Sequence, residues 1–261
     1  MIVLDAPTLF DWMVAFLVIS IRMGAMFLAA PLFSAAAVNL PQRTALTMGM
    51  TVAVFSSVKT PQIDYFSAQG LVVLMQEVIV GTMIGFFMQF AFATVTFAGE
   101  QISSAMGLSY AAMVDPQTGA SSPVIAQFLS ILLILIFLTL DGHHLLIRAV
   151  ADSYKIVPIG EMMLKPKMFL SIFQSGSLIF SMALLISLPI VVAMLLINIV
   201  TGVMTRVAPQ LNIFSVGFPI TILAGLVLMM VLIPSIAHAI AAYVNDIGLK
   251  MRDFLLISQE G

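Results

Sequence analysis

The sequence predicts an all-α integral membrane protein of about six long apolar helices arranged as hairpins, several of them kinked or broken at Pro and Gly. Three observations lead there. Of 261 residues, 61% are hydrophobic and 8% are charged, whereas soluble domains are nearer half apolar and a quarter charged. A chain so poor in charge must be solvated by lipid or by other apolar subunits. Its apolar residues gather into stretches at about 10–38, 43–58, 70–99, 123–141, 177–205 and 215–245. The connections between them are polar and carry most of the basic residues. Residues 1–261 thus read as a single membrane domain.

The opening "MIVLDAPTLFDW" carries Asp5 and Asp11 and no basic residue. It does not read as a cleaved signal peptide, so the first stretch is expected in the mature protein. Arg22 lies mid-stretch in "VISIRMGAMF", too deep to snorkel, and a buried partner is expected. Glu77 is the nearest candidate by type, although sequence alone does not pair them. "NLPQ" (39–42) turns tightly into the second stretch and makes a helical hairpin. That stretch, "RTALTMGMTVAVFSSV", falls short of the roughly 20 residues that cross a hydrocarbon core of about 30 Å. Stretches three, five and six are long. Unequal lengths suggest tilted, kinked or partly inserted helices.

In the third stretch Glu77, Gly81, Gly85, Gln89 and Ala93 recur every four residues, continued by Thr96 and Glu100. Residues four apart share a helix face, so this face is small and polar. Gly81 and Gly85 form a GxxxG, which permits close helix approach; ordinary packing explains them. Glu77 is costly in hydrocarbon. An ion pair, a wet cavity and burial as the neutral acid are all compatible with its position.

The fourth stretch ends at "LDGHHLL". Gly142 can end a helix, which would put Asp141, His143 and His144 in an interfacial loop. Nothing resembles HExxH, and a third ligand and its supporting shell are not visible, so no metal is assigned. The fifth stretch ends "NIVTGVMTRVAPQLNIF", where Asn198, Thr201, Gly202, Thr205 and Arg206 fall on one side at spacings of three and four. Pro189, Pro219 and Pro234 are expected to kink or break the last two helices. His238 is a lone histidine and reads as structural.

Several function classes drop out. A net charge of −2 gives no reason to expect nucleic acid. Without cysteine there is no disulfide frame or thiolate metal site. No Walker loop, GxGxxG or Ser/His/Asp spacing supports an enzyme or a cofactor. The 20 Met residues suit soft packing against many subunits, or a deformable seal around a conduit. With both termini cytoplasmic, that side holds Lys59, Arg148, Lys155, Lys165, Lys167, Lys250 and Arg252, against Arg43 and Arg206 opposite; the excess favours this orientation. "GLSYAAMVDPQTGASSP" (107–123) then lies on the far side, and it exceeds the usual connection length.

"GEQISSAMGLSYAAMVDPQTGASSPVIAQF" (99–128), "FLTLDGHHLLIRAV" (137–150) and "RVAPQLNIFSVGFPITI" (206–222) resemble the FliR/SctT family of type III secretion export-gate proteins. Length and segment order agree along the whole chain, and "GEQIS" with "DPQTG" points to the flagellar branch. The resemblance implies a core subunit of the export gate in the bacterial inner membrane and flagellar basal body. It would join FliP-like and FliQ-like subunits in a helical hetero-oligomer, near FlhB-like and FlhA-like components, and pass unfolded flagellar proteins. It further implies that the loop at about 106–122 plugs the channel, through Met106, Gly107, Leu108, Ser109, Tyr110, Met113, Val114, Asp115, Pro116 and Gly119. The residues suit that role: glycines for sharp turns, Pro116 for stiffness, and few charges. Arg22, Glu77, Gly81, Gly85, Gln89, Glu100, Asn198 and Arg206 are the buried polar and helix-packing candidates. Two competing readings are a stand-alone secondary transporter, against which no inverted repeat is evident, and an intramembrane metalloenzyme using Asp141, His143 and His144.

Overall fold

In lipid every backbone N–H and C=O must find its partner within the chain, and helices do this segment by segment. The computed structural model describes residues 6–34, 38–58, 60–61, 63–65, 67–108, 124–161, 166–208 and 217–257. Among the described residues there are helices and no strand. In chain order these are α1 Ala6–Ala29, α2 Pro31–Ser34, α3 Leu40–Phe55, α4 Ala68–Ala105, α5 Val124–Thr139, α6 Gly142–Ile156, α7 Pro166–Val207 and α8 Phe218–Ile257. Among the described residues, four helices are long and apolar enough to cross a membrane, and five if the bent pair α5–α6 makes one span.

Three boundaries differ from the sequence expectation, each for a local reason. The first stretch does not continue as one helix to residue 38. Pro31 lacks an N–H and disfavours helix at the residue before it, so α1 stops at Ala29 and a short α2 starts at Pro31. A kink or a break was expected at Pro189 and Pro234, and a break does not occur: α7 and α8 run through them as continuous helices of 42 and 40 residues. Each proline removes one hydrogen bond, a small loss in helices of that length. Pro219 stands in the first turn of α8, where its missing N–H has no intrahelical partner to lose. The third difference is α6. The connection after residue 141 is helical to Ile156, with Leu146, Val150, Ser153 and Tyr154 on its buried side. His143 and His144 therefore sit in the first turn of a helix, not in a loop. The turn before it bends α5 against α6 by 65°, with Asp141 at φ 54°, a left-handed conformation uncommon outside glycine.

As expected, α3 is short at 16 residues. At its start the Asn39 backbone N–H donates to Gln42 Oε1 at 3.0 Å, one half of a capping box.

The chain forms two compact units. The first holds residues 1–90, 141–176 and 246–261, and the second residues 91–140 and 177–245. In the first, Ile19, Met23, Phe27, Ile84, Phe87 and Phe254 are fully buried, and the Phe87 and Phe254 rings meet at 5.2 Å. In the second, Thr94 Oγ1 donates to the Tyr243 hydroxyl at 3.0 Å, and Phe97 meets Phe180 edge-on at 5.4 Å. There α4 and α5 approach so closely at Gly99 that a Cβ would collide with the Ala126 backbone.

Candidate functional site

The first unit is organised around Arg22. From the middle of α1 its guanidinium grips Glu77 of α4 with both edges of the carboxylate: Nε donates to Oε2 at 2.7 Å and Nη2 to Oε1 at 2.8 Å. Paired N–H···O bonds of this kind are the strongest that the two side chains make. Nη1 donates to Ser153 Oγ and to the Val157 carbonyl, each at 3.0 Å. Arg22 Cζ lies 4.2 Å from the centre of the Tyr154 ring, within cation–π range, and the Tyr154 hydroxyl donates to the Ile19 carbonyl at 2.8 Å. Ser153 Oγ in turn donates to the Val150 carbonyl at 2.7 Å. Exposures of 0% for Arg22 and 1% for Glu77 put both charges out of reach of solvent and of any partner chain. Of the possibilities left by the sequence, the structure shows the ion pair. Ser153, Tyr154 and Val157 complete it from α6 and the residue following that helix. They carry no motif, but the spacing Leu146, Val150, Ser153 and Tyr154 is helical and would have revealed the face.

Gly81 and Gly85 stand one and two turns after Glu77. A Cβ on Gly81 would collide with the Arg22 carbonyl, and one on Gly85 would lie 2.7 Å from Ala29 Cβ and 2.8 Å from Met26 O. The two glycines let the α1 backbone come close enough for the Arg22 side chain to end at Glu77. The line stops there, since Gln89 is exposed.

In the second unit, the root of the loop is held firmly. Met106 is fully buried, and its side chain covers Gly225, where a Cβ would lie 2.5 Å from Met106 Cγ. Met106 thus packs into its own unit's core. Thr221 Oγ1 reaches the Met106 carbonyl at 3.3 Å. Asn198 Nδ2 donates to the Ala105 carbonyl at 3.1 Å, satisfying one of the acceptors that a helix end leaves without a partner. Gly107 takes φ 80°, beside the Phe218 ring. Met106→Ala is expected to cost about 2–5 kcal/mol, as other buried Met truncations do, read as a lowered unfolding midpoint of the purified chain. Leu108 follows half-buried. Ser109, Tyr110, Met113, Val114, Asp115, Pro116 and Gly119 lie outside the described residues.

Glu100 and Asn198 line an open cleft of about 510 Å³ with Phe97, Gln101 and Ser104. Arg206 is exposed near the end of α7. The Asp141, His143 and His144 donor atoms lie within 4.8 Å of one another. His144 Nδ1 is 3.4 Å from Asp141 Oδ1, and His143 Nδ1 is buried without a hydrogen-bond partner. Asp141 and His144 are exposed, and among the described residues no fourth ligand-type side chain joins the group.

Residues 13–247 match the family described as bacterial export proteins, family 1. The flagellar biosynthetic protein FliR of Escherichia coli (strain K12) is 39% identical over 217 residues, which cover 83% of each chain. That of Pectobacterium carotovorum subsp. carotovorum is 36% identical over 250 residues, 95% of this chain and 96% of the relative. That of Bacillus subtilis (strain 168) is 30% identical over 227 residues, 86% and 88% of the two. With likeness running from the first membrane helix into the last, this chain belongs to the bacterial export proteins, in the family of the flagellar biosynthetic FliR proteins.

Proposed function

We propose that this chain is a membrane subunit of the flagellar protein-export apparatus, lining the export channel and closing it with the loop at about 106–122. The observation that carries the subunit reading is a surplus of apolar length. With 42 residues, α7 has a contour of about 63 Å at about 1.5 Å per residue, roughly twice the hydrocarbon core. Its exposed apolar side chains begin with Phe169 and Phe173 and continue to Met204 and Val207. A bilayer covers only part of that surface, and neighbouring protein must cover the rest. A stand-alone transporter is not favoured, because it leaves the remainder bare. FliP-like and FliQ-like subunits are the proposed neighbours, with an FlhB-like protein near a cytoplasmic C-terminus and an FlhA-like component beyond. The chain needs no chemistry of its own, since unfolded substrates pass through a passage that other components energise.

Co-expression tests the assembly: the three proteins should purify as one particle, and purification of this chain as a lone monomer would end the reading. Deletion of 107–121 tests the plug. The particle should still form, and its vesicles should leak small ions; an intact seal would remove the loop's assigned role.

A further inference from the structure

Asp141, His143 and His144 have no part in the channel reading, and their arrangement differs from what their spacing suggests. Adjacent residues of a helix project about 100° apart, so neighbouring histidines ordinarily diverge. Here the two rings stack, with centroids 4.1 Å apart and planes inclined by 40°. Asp141, held at φ 54° just before α6, brings its Oδ1 to 3.4 Å from His144 Nδ1. One donor atom from each of the three side chains lies within 4.8 Å of the others. In a tetrahedral zinc site, nitrogen and oxygen ligands at about 2.0–2.2 Å from the metal stand about 3.5 Å from one another. The Asp141–His144 contact is already at that spacing, and rotation about side-chain bonds closes the remainder. A separate observation concerns His143, whose Nδ1 is buried without a hydrogen-bond partner among the described residues. Buried polar atoms of that kind are uncommon and call for a partner, and an imidazole nitrogen takes either a hydrogen bond or a metal ion.

We propose that Asp141, His143 and His144 bind one divalent transition-metal ion of the zinc class. Two imidazoles select such an ion over magnesium and calcium, which take oxygen ligands. Asp141 supplies the anionic ligand. Asp141 and His144 are exposed, which leaves the remaining coordination positions to water. The site is structural, not catalytic: among the described residues no further carboxylate or imidazole joins the group to serve as a general base. The ion ties the residue before α6 to the first turn of that helix. It thereby stiffens the start of the element that brings Ser153 and Tyr154 to Arg22. All of these residues belong to the first unit.

The test uses the untagged full chain in detergent, first stripped with a chelator. Zinc should bind at one equivalent per chain, measured by elemental analysis after gel filtration, and should raise the unfolding midpoint. Cobalt(II) should give the visible absorption of a four-coordinate site, which zinc should bleach and magnesium should not. Asp141→Asn, His143→Gln and His144→Gln should each weaken binding at least tenfold, because even groups that only support a ligand change metal affinity by about 10–100-fold. Asn tolerates the left-handed backbone as Asp does, so Asp141→Asn removes a ligand charge and keeps the turn. Unchanged helix content in that variant separates lost binding from lost folding. His238→Gln alters the one remaining histidine of the three in the chain, and it should bind as the parent does. Metal retained equally by the three site variants, metal lost with His238, or a parent chain that holds no more than background overturns the proposal. So does one metal per two chains, which would place the ion between copies.

Discussion

Glu77→Ala is expected to cost the folded chain about 3–5 kcal/mol, the usual result of stranding one member of a buried ion pair. Arg22 would keep its positive charge at 0% exposure with two neutral acceptors, Ser153 Oγ and the Val157 carbonyl. Neither returns what the carboxylate supplied. Arg22→Ala should cost about as much by leaving the Glu77 carboxyl buried without its partner. The informative experiment is the double change Arg22→Met with Glu77→Leu. Removing both charges removes both desolvation penalties, and apolar replacements of buried pairs are often neutral or stabilising. The double variant should therefore be more stable than either single one, with a coupling of several kcal/mol in a double-mutant cycle. Unfolding midpoints in mixed micelles and the yield of membrane-inserted protein measure it. Additive losses would mean that the two side chains do not act as a pair.

Gly81→Leu is the second large effect, expected at about 3 kcal/mol or more, the upper end for an overfilled core. The atoms in the way are the Arg22 carbonyl and Ala25 Cβ. Backbone cannot rotate aside as a flexible side chain can, so α1 must move off α4. That movement withdraws the guanidinium from its bonds of 2.7 and 2.8 Å, so the clash and the ion pair fail together. Gly202→Ala is the control. No atom lies within 4 Å of a Cβ there, and an alanine in a helix interior is worth about 0.5–1 kcal/mol over glycine. It should leave the chain's own stability unchanged or slightly raised. A loss of assembly in that variant without loss of folding would mark Gly202 as covered by another subunit.

The sequence carried the class of the fold plainly, because hydrophobic length and scarcity of charge are properties of composition. It also marked Arg22 and Glu77 individually, since an ionisable residue in an apolar stretch is costly wherever its partner lies. It could not join them: they are 55 residues apart, and Ser153 is 131 residues from Arg22. Pairing is a property of the crossing geometry. Boundaries were less legible. Pro31 was a readable stop, yet the apolar run continues past it and masks the break. Pro189 and Pro234 were readable as kinks or breaks, and the helices continue through them. In α6, the charges of Arg148, Asp152 and Lys155 hid an amphipathic helix that interval counting would have found. The resemblance to the family rested on linked strings such as "LDGHHLLIRAV", whose meaning is not physical at the level of single residues.

The tie between Arg22 and Glu77 also bears on biogenesis. The first helix leaves the ribosome carrying a guanidinium at its centre, and its acceptor is synthesised 55 residues later. At about 5–20 residues per second that wait is roughly three to eleven seconds. A central arginine adds about 2.5–3.5 kcal/mol to translocon-mediated insertion, to be offset meanwhile by the helix's mean hydropathy of 2.0. Nascent α1 therefore enters the bilayer as an incomplete partner, and its retention there depends on how promptly α4 arrives.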